Sequence, residues 1–244
     1  MLGALTGGEL AYCGAILAIA YFVRGVTGFG SGLISIPLLV LLLPLQAVVP
    51  LIVLLDYTAS CSQSISARED VRWRELAPLL PFSMAGVLVG LLILKTMSPA
   101  EMSHALGVFV LFFAVYQFFG LEMVGRYSKG WAVLAGGSGG LIGTLFGTGG
   151  PFYIIYFRLR GLDKNELRAT FAATFLIDGG WRLVGYAASD YFTRDFLLTA
   201  LAALPVMAVA LYAGGHTHSR ISPKTFQRAI GLLLVCSGLA LLLK

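Results

Sequence analysis

Five apolar runs, at residues 47–66, 76–94, 102–119, 196–213 and 226–243, each approach the ~20 residues a helix needs to cross the hydrocarbon core of a bilayer. Lipid offers no partner to a backbone amide, so runs of this length must satisfy their own N–H and C=O groups as helices. A closed barrel is the other solution, but it would show alternating stretches of ~10 residues, and none stands out. Charge agrees: 58% of the 244 residues are hydrophobic and 12% charged, about half the charged share of a soluble domain. The chain reads as an all-α integral membrane protein. The extreme N-terminus lacks a basic region and no soluble domain is appended, so neither a cleaved signal peptide nor an extramembrane activity is expected.

The runs come in two sets. Ser98-Pro99 opens SPAEMSHALGVFVLFF and, 124 residues later, Ser222-Pro223 opens SPKTFQRAIGLLLVC. The same spacing relates Pro81 to Pro205, Gly90 to Gly214 and Gly107 to Gly231. Glycine-rich stretches at 25–32 (GVTGFGSG) and 143–151 (GTLFGTGGP) repeat at nearly that distance. We divide the chain into a first membrane repeat, 1–125, and a second, 126–244. Duplicated membrane units with interrupted helices are a transporter plan, with the site where the copies meet.

Charge sets the expected topology. Counting each interrupted segment as a single crossing gives eight helices and puts the Arg68/Arg72/Arg74 loop opposite the Arg158/Arg160/Lys164/Arg168 loop, against the positive-inside bias. If 9–43 and 130–158 instead fold back near Arg24–Gly30 and Gly147–Gly150, the basic loops at 68–74, 126–129, 158–168 and 220–228 all face the cytoplasm. Each copy is then a broken glycine-rich helical hairpin plus three transmembrane helices. The odd number of full crossings makes the two copies inverted repeats. Two short crossings in place of each hairpin give the same parity. The expected location is the cytoplasmic (inner) membrane, multi-pass, with both termini outside. The net charge of +5 reflects these loops and implies no nucleic acid partner.

Several residues stand out as candidate groups for function. Gly28, Gly30, Gly147, Gly149 and Gly150 permit backbone that other residues avoid and let a ligand approach the main chain. A break there leaves N–H groups at the start of the next half-helix, where partial positive charge suits an anion. Thr27, Ser31 and Thr148 add hydroxyls. The alternative for these glycines is close helix packing, preferred for GGSGG at 136–140 and for Gly86 and Gly90. Arg24 lies between the arms of the first hairpin and either meets a substrate anion or anchors the helix at the cytoplasmic edge. Asp178 and Arg182, four residues apart in an apolar run, share a helix face; Thr174 continues it. They read as a substrate and proton site or as a structural ion pair. Asp56, Ser60 and Gln63 form one stripe of the 47–66 helix, with Asp56 a candidate proton carrier. The 124-residue shift sets Asp56 opposite Gly180. Trp181, Tyr153, Tyr156 and Tyr186 could close over a ligand; the preferred reading is interfacial or core aromatics. No metal site is expected: Cys13, Cys61 and Cys236 are isolated, and the His216-x-His218 pair has no third ligand nearby. No cofactor is implied, and the sparse histidines and acids argue against an enzyme.

GVTGFGSGLISIPLLVLL at 25–42 and LFGTGGPFYIIYFRLRGLDKNELRATFAATFLIDGGWRLVGY at 145–186 resemble the two repeat signatures of the TauE/SafE family of sulfite exporters. The resemblance runs from about residue 12 to 243. It implies a permease for small sulfur-containing anions such as sulfite, sulfonates or sulfoacetate; other members are linked to organic acids. Phe152 follows GTGGP where the family pattern carries a small residue or a second proline. The function expected is secondary transport of a small, sulfur-containing anion, exported by alternating access. An organic carboxylate permease or a proton-coupled anion uptake system is the alternative. The partners expected are the small anionic substrate, the lipid bilayer and a coupling proton or sodium ion. Oligomeric state is left open.

Overall fold

The computed structural model describes residues 5–66, 68–119, 127–217 and 223–243, and the side chains of all of these except 63–66, 117–119 and 223–230. The side chain of Gln63, and Ser222, Arg126, Arg220 and His218, lie outside the described residues. Eleven α-helices are described: α1 (Gly7–Thr27), α2 (Ser31–Leu39), α3 (Leu45–Ser66), α4 (Trp73–Leu76), α5 (Leu80–Leu94), α6 (Pro99–Phe119), α7 (Trp131–Phe146), α8 (Gly150–Leu159), α9 (Lys164–Ala187), α10 (Arg194–His216) and α11 (Pro223–Leu242). Among the described residues, five stretches are long and apolar enough to cross a membrane: Gly7–Thr27, Leu45–Ser62, Trp73–Leu94, Pro99–Tyr116 and Arg194–His216. Large apolar side chains cover the outside of the bundle, Phe112 being 71% and Val184 and Val209 70% exposed. Such a surface is suited to acyl chains rather than water.

The helix starts follow local chemistry. Thr6 and Glu9, and Asp163 and Glu166, form reciprocal capping boxes that open α1 and α9. At the first Ser-Pro pair, Ser98 Oγ accepts from Glu101 N while Glu101 Oε2 accepts from Ser98 N. Pro99 takes the first helical position, where its missing N–H costs nothing. The internal echo is therefore, in its first copy, a helix-start signal.

Packing pairs α1 with α10, α5 with α7, α6 with α11 and α3 with α9. Glycine makes the closest of these possible. A Cβ on Gly25 would lie 2.5 Å from Leu211 O, one on Gly214 2.1 Å from Phe22 O, one on Gly86 2.3 Å from Gly137 O and one on Gly140 2.1 Å from Ser83 O. A single methyl at any of these points would push backbones apart, and with them the dispersion contacts that hold helices together in lipid.

Both glycine segments interrupt the helix. Gly28 (φ 88°), Gly30 (φ 97°) and Gly147 (φ 64°) adopt left-handed backbone that costs other residues about 1–2 kcal/mol. After the first break, α2 runs back along α1, and Tyr12 Oη donates to Leu38 O at 3.5 Å. After the second, α8 returns toward the start of α7, where Tyr127 N donates to Leu159 O at 2.9 Å. At nine and ten residues, α2 and α8 are ~14–15 Å long, about half a hydrocarbon core. Their partners are longer: α1 has 21 residues. The two breaks touch, since a Cβ on Gly32 would lie 2.7 Å from Gly147 O. Gly28 and Gly147, at the two breaks, are 119 residues apart, against 124 for the Ser-Pro pairs; the shorter spacing sets Asp56 opposite Phe175 rather than Gly180.

The loops around residues 68–75, 127–129 and 158–168 meet at one end of the bundle. Arg72 Nε donates to Glu166 Oε1 at 2.6 Å, Arg160 Nε to Glu75 Oε2 at 2.6 Å, and Lys129 Nζ lies 3.9 Å from Glu75 Oε1. Eight full crossings would put the loops at 68–74 and 158–168 on opposite sides; their contact does not fit that count.

Candidate functional site: two buried arginine–aspartate pairs

Among the described residues, the charged side chains buried in the bundle are Arg24, Asp56, Asp178 and Arg182, at 1%, 3%, 0% and 0% exposure. They form two pairs. Arg24, in the last turn of α1, lies with Nη1 2.7 Å from Asp56 Oδ1 on α3. Its Nη1 also donates to Ser31 Oγ at 3.1 Å, and its Nη2 donates to Ser60 Oγ at 2.7 Å and Asp56 O at 3.1 Å. Ser31, the first residue of α2, donates to Asp56 Oδ1 at 2.6 Å, and Tyr21 Oη donates to the same oxygen at 2.8 Å. One arginine thus joins α1, the first break and α3, and the Asp56–Ser60 stripe faces it.

The second pair lies within α9. Arg182 Nη2 contacts Asp178 Oδ2 one turn earlier and donates to Gly139 O at 3.2 Å; it lies 3.5 Å from Tyr153 Oη. Ser83 on α5 donates to Asp178 Oδ1, and Tyr153 Oη on α8 donates to Ser83 Oγ at 3.3 Å. The guanidinium fits only because α7 has no side chain opposite it. A Cβ on Gly143 would lie 2.2 Å from Arg182 Cζ.

The pairs converge on one ring. Arg24 Cζ lies 5.7 Å and Arg182 Cζ 5.4 Å from the centroid of Phe175, distances at which a guanidinium is attracted to an aromatic face. One turn earlier, Phe171 meets Phe29 of the first break edge-on at 6.2 Å, and a Cβ on Gly150 in the second would lie 3.2 Å from Phe171. The α9 aromatics therefore occupy the seam between the two breaks.

Several buried donors here have no hydrogen-bond partner: Arg24 Nε, Arg182 Nε, Arg182 Nη1 and Thr148 Oγ1. A guanidinium offers five N–H groups, and Arg182 directs its close polar contacts through Nη2. Unpaired buried donors of this kind are costly and suit a group that brings several acceptors with its negative charge.

The remaining residues singled out from sequence divide. Gly149 packs so closely that a Cβ would lie 2.1 Å from Gly139 O. Thr148 sits in the second break with its hydroxyl buried. Thr27 Oγ1 lies 2.8 Å from Val23 O and 2.7 Å from Phe29 O, shaping the first turn. Thr174 Oγ1 donates back to Thr170 O at 2.7 Å on its own helix. Phe152 stacks on Phe109 at 6.3 Å, on α6. Of the aromatics, Tyr153 joins the Asp178 network and Tyr186 donates to Thr144 O at 2.6 Å. No cluster of three metal-ligating side chains occurs among the described residues. Sequence reasoning did not single out Tyr21, Ser83, Phe171 or Phe175. The available signal was the spacing of Phe171, Phe175, Asp178 and Arg182, which puts all four on one stripe of α9.

Comparison with known proteins decides the family. The family described as Sulfite exporter TauE/SafE matches residues 13–241. The chain belongs to this family. TauE/SafE proteins are transporters, so this one is not an enzyme, and the buried pairs belong to a membrane transporter. Among similar relatives is a protein named as a probable inner membrane transporter, TsaS, from Comamonas testosteroni. It is 26% identical over 193 residues, covering 78% of this chain and 81% of its own length. Another is named as a probable sulfite/organosulfonate exporter, TauE, from Cupriavidus necator. It is 26% identical over 238 residues, covering 94% of this chain and 92% of its own. No solved structure matches.

Proposed function

We propose that this TauE/SafE member exports a small sulfur-containing anion, of the sulfite or sulfonate type, by alternating access of two inverted copies. The observation that carries this reading is the convergence of Arg24 and Arg182 on Phe175, with three guanidinium nitrogens and Thr148 Oγ1 unpartnered. A tetrahedral or pyramidal oxyanion presents several acceptors over a few ångströms, and arginine forks suit them. The name of the Cupriavidus relative, 92% of whose length is covered, supports a sulfur anion over other classes.

Alternating access needs two halves that exchange roles. The swapped pairing supports this: the long hairpin arm of each copy packs on a helix of the other, α1 on α10 and α7 on α5. The contact between basic loops supports one basic, cytoplasmic end with the termini outside, and hairpins plus three crossings per copy, 1–125 and 126–244. Export of one negative charge from a cell with a negative interior releases ~2.3 kcal/mol per 100 mV, so it needs no coupling ion. Asp56 and Asp178 each neutralise an arginine. Protonating either would free its partner for the substrate, which makes them the candidate coupling groups.

The test is flux from liposomes loaded with sulfite, methanesulfonate or a short carboxylate. We expect sulfur-anion flux that Arg182→Gln abolishes. Carboxylate flux with none for sulfur anions would favour the organic acid permease. Undiminished flux in both Arg182→Gln and Arg24→Gln would reject the site.

A further inference from the structure

A second polar feature lies outside the buried pairs. A cavity of about 630 Å³ opens between α3, α9, α10 and the last turn of α1. Thr58, Ser62, Asn165, Arg168 and His216 lie on its wall, and Asp70 is its acidic lining residue. Arg72 and Glu166, which join the basic loops, flank it in sequence, so it opens at the basic end. Its wall also includes Gly25 and Ala59, the chain neighbours of Arg24 and Ser60, whose side chains are hydrogen-bonded at 2.7 Å. One residue of backbone separates this vestibule from the first buried pair.

Arg168 lies at that boundary. Its side chain crosses the first break, and a Cβ on Gly28 would lie 2.9 Å from Arg168 Cγ and Nε. Its Nη2 donates to Gly25 O at 3.2 Å, while no carboxylate lies within ion-pair distance among the described residues. Capping the last carbonyls of α1 accounts for one donor of the fork. It does not account for an unpaired cation on the wall of a cavity, directly over the glycine break that leads to Arg24.

We propose that Arg168 is the capture residue of the transport path: it binds the substrate anion in the vestibule and passes it over Gly25 toward the seam where Arg24 and Arg182 converge on Phe175. The inference rests on the anion-transport reading above. Asn165, three residues earlier on the same helix, lies on the same wall, where an added charge would change the potential that the arriving anion meets. Arg168 acts before the buried site, so it governs apparent affinity rather than turnover.

The experiment is initial-rate transport of sulfite and methanesulfonate, supplied at graded concentrations to the face bearing residues 68–74, in proteoliposomes. Arg168→Gln is expected to raise KM about 10-fold with kcat little changed, and Arg168→Lys to stay near wild type. Asn165→Asp leaves the Gly25 cap in place and adds a carboxylate to the wall, at a helix start where acids are well tolerated. It is expected to raise KM several-fold, and it decides the matter if Arg168→Gln does not fold. Unchanged KM in Asn165→Asp, together with unchanged KM or loss of folding in Arg168→Gln, would overturn the capture role. If Arg182→Gln is inactive in the same assay, that failure is confined to the vestibule; if Arg182→Gln transports normally, the transport site itself is wrong.

Discussion

Arg24 and Arg182 are both buried, both paired to aspartate and both set against Phe175, yet they are held differently. Arg24 bridges three elements, and its aspartate collects three donors on one oxygen, from Arg24, Ser31 and Tyr21. Arg182 is paired along its own helix, and two of its three nitrogens have no partner. The first pair is a staple that fixes the break at Gly28–Gly30 against α3. The second is an arginine held in place with most of its fork free. In the proposed mechanism the same two residue types divide the work: one positions the seam, and the other offers charge and donors to a substrate.

The largest effect should come from the second pair. Arg182→Gln is expected to lower anion flux more than 100-fold even in protein that stays folded in detergent, with a melting loss comparable to that of Asp178→Asn because Asp178 is left without its cation, and Arg24→Gln to lose stability before it loses affinity. Equal effects of both on flux and on melting would erase the distinction. Asp178→Asn is expected to cost about 3–5 kcal/mol, because it strips the partner from a buried cation; thermal melting checks it. Next is Gly143→Ala, whose new methyl would collide with the Arg182 guanidinium. We expect flux to fall at least 10-fold with little change in the Arg24 pair. Gly30→Ala has open space for its Cβ and should cost only the left-handed backbone, about 1–2 kcal/mol. Ser31→Ala removes one donor of the staple and should cost about 1 kcal/mol of stability, with flux near normal. A large flux defect in Ser31→Ala would move the substrate toward the first pair.

Much of this architecture was legible in the chain, for reasons that differ by element. The helices follow from apolar run length, and α3, α6 and α10 begin within three residues of where those runs start. The breaks follow from glycine, which adopts the left-handed angles at 28, 30 and 147 without the steric cost a Cβ brings. Asp178 and Arg182 were readable as a pair because four residues on one helix bring them together whatever the fold. Asp56 and Arg24 were not readable as a pair. They lie on different helices, joined only by the way α3 packs back on the hairpin, and no periodicity reports that. The Ser-Pro echo misled in one respect: it fixes the offset of the later helices, whereas the breaks are closer together, so the register that set Asp56 opposite Gly180 slipped. Phe171 and Phe175 were hidden by their setting, since an aromatic in an apolar helix looks like core until the structure shows Phe171 against the first break and two cations on the Phe175 ring.

The central claim is that Arg182 provides the main charge for the substrate anion at the seam. Equilibrium titration of the purified protein with sulfite and with methanesulfonate, followed by the rise in melting temperature on binding, tests it most directly. Saturable stabilisation of the wild type that disappears in Arg182→Gln, but persists at near wild-type affinity in Ser31→Ala, is the expected result. Wild-type affinity retained by a folded Arg182→Gln variant would contradict it.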